Sequence, residues 1–210
     1  MKTRLVFLGP PGAGKGTQAF IVSGKLGLPR LATGDMLRDE IARKTALGMA
    51  AKKNVDDGKL VSDDIVNAIL KECVEKHKDG FILDGYPRTI DQAKYLDSIV
   101  TLDKVLFFDA PESVLVDRII NRRICPVCNA VYNIAEYPPK AEGLCDRDGS
   151  RLELRSDDNV EVASFRIKTF WEKTAPLVNY YFERDVLAKI TANVPFDEVT
   201  AEILLVLTTD

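Results

Sequence analysis

The run Gly9-Pro10-Pro11-Gly12-Ala13-Gly14-Lys15-Gly16-Thr17 constrains this chain more than any other stretch. It follows the apolar Leu5-Val6-Phe7-Leu8, which reads as a strand buried within a parallel sheet. Gln18-Ala19-Phe20-Ile21-Val22 then continues as a helix. Strand, glycine loop and helix in that order make a phosphate-binding P-loop. Glycines let the backbone turn its N–H groups inward without a Cβ in the way. The helix N-terminus adds partial positive charge, and Lys15 adds a full one for the β- and γ-phosphates. The expected contacts to a nucleotide are Gly12, Ala13, Gly14, Lys15, Gly16 and Thr17. A glycine turn with an incidental lysine is the competing reading, and the flanking strand and helix argue against it.

At 210 residues the chain is long enough for one well-buried domain with an insertion or two. Its formal net charge of −3 supplies no global basic field, so no nucleic-acid partner is expected and anions must be bound by local arginines. No run approaches membrane-spanning length, and the first apolar stretch is a short strand ending at Gly9. No membrane partner is therefore expected, and the location is expected to be cytoplasmic. In a reducing space, four cysteines argue for metal or free thiols before disulfides.

Apolar runs at Phe81-Ile82-Leu83 and Val105-Leu106-Phe107-Phe108 read as further buried strands, with shorter ones at Arg30-Leu31-Ala32 and Lys189-Ile190-Thr191-Ala192. Helical patterns run from Ala46 to about Asp56, Asp63 to about Lys76, Ile90 to about Ile99, Pro111 to about Arg122, and Asp197 to about Leu207. Another helix opens at Thr33, with Thr33 or Asp35 near its cap, and a long one spans Val160 to about Leu187, broken or kinked at Pro176. This alternation predicts an α/β fold: a P-loop NTPase-type parallel sheet wrapped by helices. Ligands of such sheets lie beyond the C-terminal strand ends, so the P-loop and Asp84 should share a cleft.

From about Ile124 to Leu154 the texture changes to prolines, glycines and turns without helical period, which predicts an inserted small subdomain. Cys125-x-x-Cys128 and Cys145-x-x-Asp148 are two knuckles that can present four ligands to one tetrahedral zinc ion. Asp148 stands where a fourth cysteine would complete the pattern; Asp146 has the wrong spacing. A closed four-ligand sphere leaves no place for substrate, so the zinc would be structural, supplying free energy that a small lid lacks. Three free thiols in a hydrogen-bonded lid are the alternative.

The loop form, with Gly16 after Lys15 and the hydroxyl of Thr17 one place later, resembles that of nucleoside monophosphate kinases. Four further motifs follow in order: Thr33-Gly34-Asp35-Met36-Leu37-Arg38, Asp84-Gly85-Tyr86-Pro87-Arg88-Thr89, Asp117-Arg118 with Arg122-Arg123, and Arg155-x-Asp157-Asp158 with Arg166. Together the five resemble an adenylate kinase of the bacterial long-lid type, from end to end. The resemblance implies ATP + AMP ⇌ 2 ADP with magnesium. It implies a core of residues 1–31, 62–122 and 159–210, an AMP-binding helical segment at 32–61, and an inserted small zinc-binding β lid at 123–158. Closure of such lids is well known in this family.

Transfer of a γ-phosphoryl group between two polyanions needs charge neutralisation, alignment and exclusion of water, and no general base. His77, the lone histidine, is accordingly expected to be exposed and uninvolved. The expected catalytic set is Lys15, Asp84, Arg88, Arg122, Arg155 and Arg166. By resemblance, Arg38 and Arg88 hold the AMP phosphate, Arg118 lies near the ATP adenine, and Arg122, Arg155 and Arg166 close on the transferring group. Guanidinium forks suit phosphate oxygens and stay charged. Asp84, at the end of a buried strand, would hold magnesium through waters, or else pair with an arginine. Asp157 and Asp158 would orient lid arginines, or cap the helix that begins near Val160. By resemblance again, Thr33, Val61, Gly85 and Gln92 surround AMP, with the Gln92 amide pairing with adenine.

Competing readings are a kinase for another monophosphate such as UMP or CMP, a zinc-ribbon nucleic-acid-binding NTPase, and a nucleotide-hydrolysing switch. Acidic residues in the ribbon and the arginines beyond Asp84 disfavour the last two. The partners expected are ATP, AMP and ADP, and the chain is expected to be a monomer.

Overall fold

A computed structural model describes residues 3–209. Residues 1, 2 and 210, which the expected core segments include, lie outside the described residues. The strands in chain order are β1 (Thr3–Leu8), β2 (Arg30–Ala32), β3 (Gly80–Asp84), β4 (Lys104–Asp109), β5 (Arg122–Ile124), β6 (Val131–Asn133) and β7 (Leu187–Thr191). The helices are α1 (Lys15–Leu26), α2 (Thr33–Ala42), α3 (Ala46–Asp56), α4 (Asp63–Lys76), α5 (Ile90–Ile99), α6 (Glu112–Ile120), α7 (Val160–Thr169), α8 (Pro176–Phe182) and α9 (Phe196–Val206).

Five strands form one parallel sheet in the order β2-β3-β1-β4-β7. Strand side chains alternate between faces, and the central strand β1 divides its apolar run accordingly. Val6 and Leu8 join one core layer with Leu70 of α4, Leu96 of α5 and Leu177 of α8. Leu5 and Phe7 join the other with Val22 of α1, Leu115 of α6, Ile167 of α7 and Ile203 of α9. Both faces are thus covered, which is why these strands read as continuous apolar runs. No helix among the described residues is long and apolar enough to cross a membrane.

Three local expectations need correction. The helix expected over Val160 to about Leu187 is two helices separated by a π-helical turn, Phe170–Thr174, in which Ala175 N donates to Phe170 O at 2.8 Å. Pro176, which has no N–H to give, is the first residue of α8, and Leu187 already belongs to the edge strand β7. Helix α6 stops at Ile120, because Arg122 and Arg123 instead pair with Asn133 and Tyr132 in the antiparallel β5–β6 ribbon of the insertion. Neither Asp157 nor Asp158 caps α7: Asn159 does, accepting from Val162 N at 2.9 Å.

Candidate active site

The P-loop joins the buried end of β1 to α1. Gly12 and Gly14 have φ of +87° and +85°, and a Cβ on Gly12 would lie 2.6 Å from the Leu115 carbonyl oxygen. Glycine is therefore required at 12 on both conformational and steric grounds, and at 14 on conformational grounds. No side chain caps α1, so its first-turn N–H groups stay available to an anion beside the loop. Lys15 Nζ donates to Pro10 O at 2.8 Å. Burial pushes the Lys15 ammonium down to about 8; Asp84 opposes this and Arg88 adds to it. Within the loop, the Ala13 methyl is buried in the core and its N–H donates to Pro10 O at 3.3 Å.

A cleft opens at the C-terminal ends of β1, β2 and β3. Gly12, Gly14, Lys15, Gly16 and Thr17 line it, as do Asp84, Arg38, Arg88, Arg118, Arg122, Arg155 and Arg166. A second, smaller pocket adjoins it, lined by Thr33, Val61, Gln92 and Gly85 among others. The two share a wall that includes Arg38, Arg88 and Arg166. Like charges are crowded here: burial first, then neighbouring arginines, hold the guanidinium of Arg166 down to about 10, and Arg155 likewise to about 10.

Carboxylates fix most of these forks. Arg122 Nε donates to Asp158 Oδ2 at 2.7 Å and its NH2 to Oδ1, a two-pronged pair. Arg166 NH1 donates to Asp157 Oδ2 at 2.7 Å and lies 3.6 Å from Asp158 Oδ1. Arg88 Nε donates to Gly85 O at 2.8 Å. Asp84 makes no side-chain hydrogen bond or ion pair with the described residues. A Cβ on Gly16 would stand 3.3 Å from its Oδ2, so the missing side chain lets the carboxylate approach the loop. The arginine pairing considered for Asp84 is not made, and a carboxylate left facing the cleft suits a hydrated divalent cation.

In the second pocket Gln92 is buried. Its Oε1 accepts from Arg88 N and its Nε2 donates to Asp63 Oδ1, both at 2.7 Å. Each amide atom retains one further bonding position. Thr33 is the first residue of α2 and no side chain caps that helix; its Oγ1 donates to Gly85 O at 3.0 Å. His77, expected to be exposed, is half-buried at the end of α4, away from both pockets.

In the insertion, one ligand atom from each of Cys125, Cys128, Cys145 and Asp148 lies within 4.8 Å of all the others. Cys125 Sγ is 3.3 Å from Asp148 Oδ2, and Cys128 Sγ is 3.5 Å from Cys145 Sγ. A tetrahedron with metal–sulfur bonds of about 2.3 Å has edges of about 3.8 Å, so the donor set fits zinc. Asp146 is engaged elsewhere, accepting from Lys140 N at 2.9 Å.

The insertion rests on the core. Arg147, between two of those ligands, places its guanidinium 4.0 Å from the Phe20 ring centroid of α1. Tyr137 and Phe196 stack with centroids 4.0 Å apart. Arg118 Nε pairs with Glu136 at 3.0 Å while its NH1 donates to Ala192 O at 2.9 Å. The structure thus brings the named cations to one cleft, places Arg118 at the insertion side of it, and gathers Cys125, Cys128 and Cys145 with Asp148 into a separate cluster, while Cys73 lies apart on α4. Sequence reasoning missed Arg30 as a partner of Asp35, Glu136 as the partner of Arg118, and Phe196 as part of the wall. It noticed Asp35 only as a helix-start residue, although Asp35 lies inside a quoted motif.

The adenylate kinase family model matches residues 7–186. The chain is 45% identical over 214 aligned positions to the adenylate kinase of Acholeplasma laidlawii, covering 99% of both chains. It is 42% identical to that of Symbiobacterium thermophilum, with 95% of each covered, and 46% identical to that of Anaeromyxobacter dehalogenans, with 89% of this chain and 90% of the relative covered.

Proposed function

Since this chain belongs to the adenylate kinase family and catalyses ATP + AMP ⇌ 2 ADP, we propose that its two adjoining pockets hold the two nucleotides with their phosphates meeting at the shared arginine wall. The observation that carries this reading is that wall: Arg38, Arg88 and Arg166 border both the P-loop cleft and the pocket containing Gln92. The family assignment sets aside UMP or CMP as the natural acceptor.

In this reading the P-loop residues Gly12 to Thr17, Lys15 among them, cradle the donor polyphosphate, and Arg118 lies near the donor adenine. Arg38 and Arg88 grip the acceptor phosphate, while Thr33, Val61, Gly85 and Gln92 enclose its base. Arg122, Arg155 and Arg166 neutralise charge on the γ-phosphoryl group as it passes in line from donor to acceptor. The acceptor oxygen is already ionised, so no proton has to be removed. Asp84 and Thr17, which both line the cleft, would hold magnesium with its waters. Bound there, the metal would supply charge neutralisation for the β- and γ-phosphates.

Residues 1–31, 62–122 and 159–210 would form the rigid core, 32–61 the acceptor segment, and 123–158 a lid that excludes water when it closes. Zinc held by Cys125, Cys128, Cys145 and Asp148 would keep the lid's shape. The protein would work as a cytoplasmic monomer, without nucleic acid or membrane. Replacing Arg88 by Ala tests the assignment: ADP formation from ATP and AMP should fall by about a thousandfold. An inhibitor joining two adenosines through five phosphates should also bind far more weakly to that variant. Parental turnover would refute the reading.

A further inference from the structure

We propose that Asp35 is a positioning residue for phosphoryl transfer: one carboxylate that gathers guanidinium groups from three separate segments at the wall of the shared cleft. Arg30 belongs to β2, Arg38 to α2, and Arg155 to the end of the insertion. Arg38 NH2 lies 2.6 Å from Asp35 Oδ1, and Arg155 NH2 lies 3.8 Å from the same oxygen. Arg30 donates to Oδ2. Among the described residues no other carboxylate is within ion-pair distance of Arg38 or Arg155.

The other acids of the site do a more local task. Asp157 and Asp158 hold Arg122 and Arg166, which flank them at the base of the insertion. Among the described residues, Asp35 alone lies within ion-pair distance of both an arginine of the acceptor segment and one at the insertion's end. Without it, Arg155 would face Arg38 and Arg122 with no carboxylate at ion-pair distance and only the more distant charge of Asp157 in compensation, in a setting where burial already disfavours the Arg155 charge. The attraction is mutual. Burial works to raise the Asp35 carboxyl, yet Arg38 and Arg30 hold it below the usual carboxylate range. Arg155 Nε is buried and has no hydrogen-bond partner. A donor left unmet while its neighbouring NH2 faces Asp35 is a donor oriented for an incoming phosphate oxygen.

Two effects of Asp35 on an anionic acceptor have opposite sign. Its charge repels phosphate, which would weaken AMP binding. Its hold on Arg38 and Arg155 pre-sets their forks, which would strengthen binding and speed transfer. The proposal is that orientation dominates.

Asp35→Asn keeps the side chain's shape and one acceptor oxygen while removing the charge. The expected result is a KM for AMP raised about tenfold and a kcat lowered about tenfold, with the KM for MgATP within about twofold of the parent. In an Arg155→Ala background the same substitution should cost a smaller factor, because part of its work is already gone. A lowered KM for AMP would show that Asp35 merely competes with phosphate and would overturn the proposal. So would parental kinetics, a change confined to MgATP, or full multiplicative losses in the Arg155→Ala background. If Asp35→Asn does not fold, Asp35→Glu is compared with Asp35→Gln: Glu must retain the greater kcat, and equal rates would overturn the idea. The proposal rests on Arg38 as an acceptor-phosphate ligand. Arg38→Ala with a parental KM for AMP would refute that assignment instead, and the two failures are distinguishable.

Discussion

Arg122 and Asp158, 36 positions apart, form a two-pronged ion pair in which the carboxylate has no exposed surface. Burial opposes the Arg122 charge, but the hydrogen bond and charge of Asp158 outweigh it and raise the guanidinium above its ordinary range. A pair of this kind adds modest net stability but is costly to break from one side. Asp158→Ala should therefore destabilise the fold by about 3 kcal/mol, read by urea unfolding, because it strands Arg122 in a low-dielectric site. Activity measured well below the new melting point should fall as well, since the unpaired fork is free to leave the cleft.

Lys15 predicts a pH dependence. Its ammonium is brought to about 8 in the free protein, chiefly by burial. The KM for ATP should rise as pH increases through that value, because the neutral amine loses its attraction for polyphosphate. Bound phosphates raise the same group again, so kcat should hold to higher pH than kcat/KM. Linkage has a definite sign here. The folded value lies below the unfolded 10.5, so the folding cost of this charge is fully present below pH 8 and is relieved as pH rises toward 10.5. Lys15→Met should consequently melt higher than the parent while losing about a thousandfold in kcat/KM. A lower melting temperature would contradict this account.

The cysteine cluster predicts metal content. Purified protein should carry one zinc per chain by elemental analysis, and a strong chelator should lower its melting temperature. Cys125→Ser should lose the metal and the extra stability together. A metal-free preparation whose melting is indifferent to chelator would leave these residues as ordinary thiols.

The Arg147–Phe20 and Tyr137–Phe196 contacts hold the insertion against the core. An exposed cation–π contact contributes about 0.5–1 kcal/mol, which is roughly a two- to fivefold change in an equilibrium. Phe20→Ala should raise the KM for ATP by about that factor and leave the KM for AMP nearly unchanged, as steady-state titration of each substrate would read.

Much of this was legible locally. The P-loop declared itself because its glycines, lysine and flanking elements are contiguous, and the two cysteine knuckles because tight turns fix ligand spacing. The sheet was legible because its central strands, buried on both faces, carry continuous apolar runs such as Leu5–Leu8 and Phe81–Leu83. Local pattern failed where a partner lay far off in sequence. Leu187 continues an apolar helical period, yet it enters β7 because β4 offers its open edge. Arg122 reads as the last turn of a helix but is drawn into the β5–β6 ribbon.

The sequence by itself determined that this chain binds phosphates on a parallel sheet and, through five ordered motifs, which family it belongs to. Short-range geometry and residue chemistry suffice for that. Only the tertiary structure decided which acid restrains which arginine: Asp35 holding Arg38 and Arg155, Glu136 holding Arg118, and Asn159 rather than an aspartate capping α7. Opposite charges attract whatever their separation along the chain, so their pairing is set by where packing of the core carries each backbone.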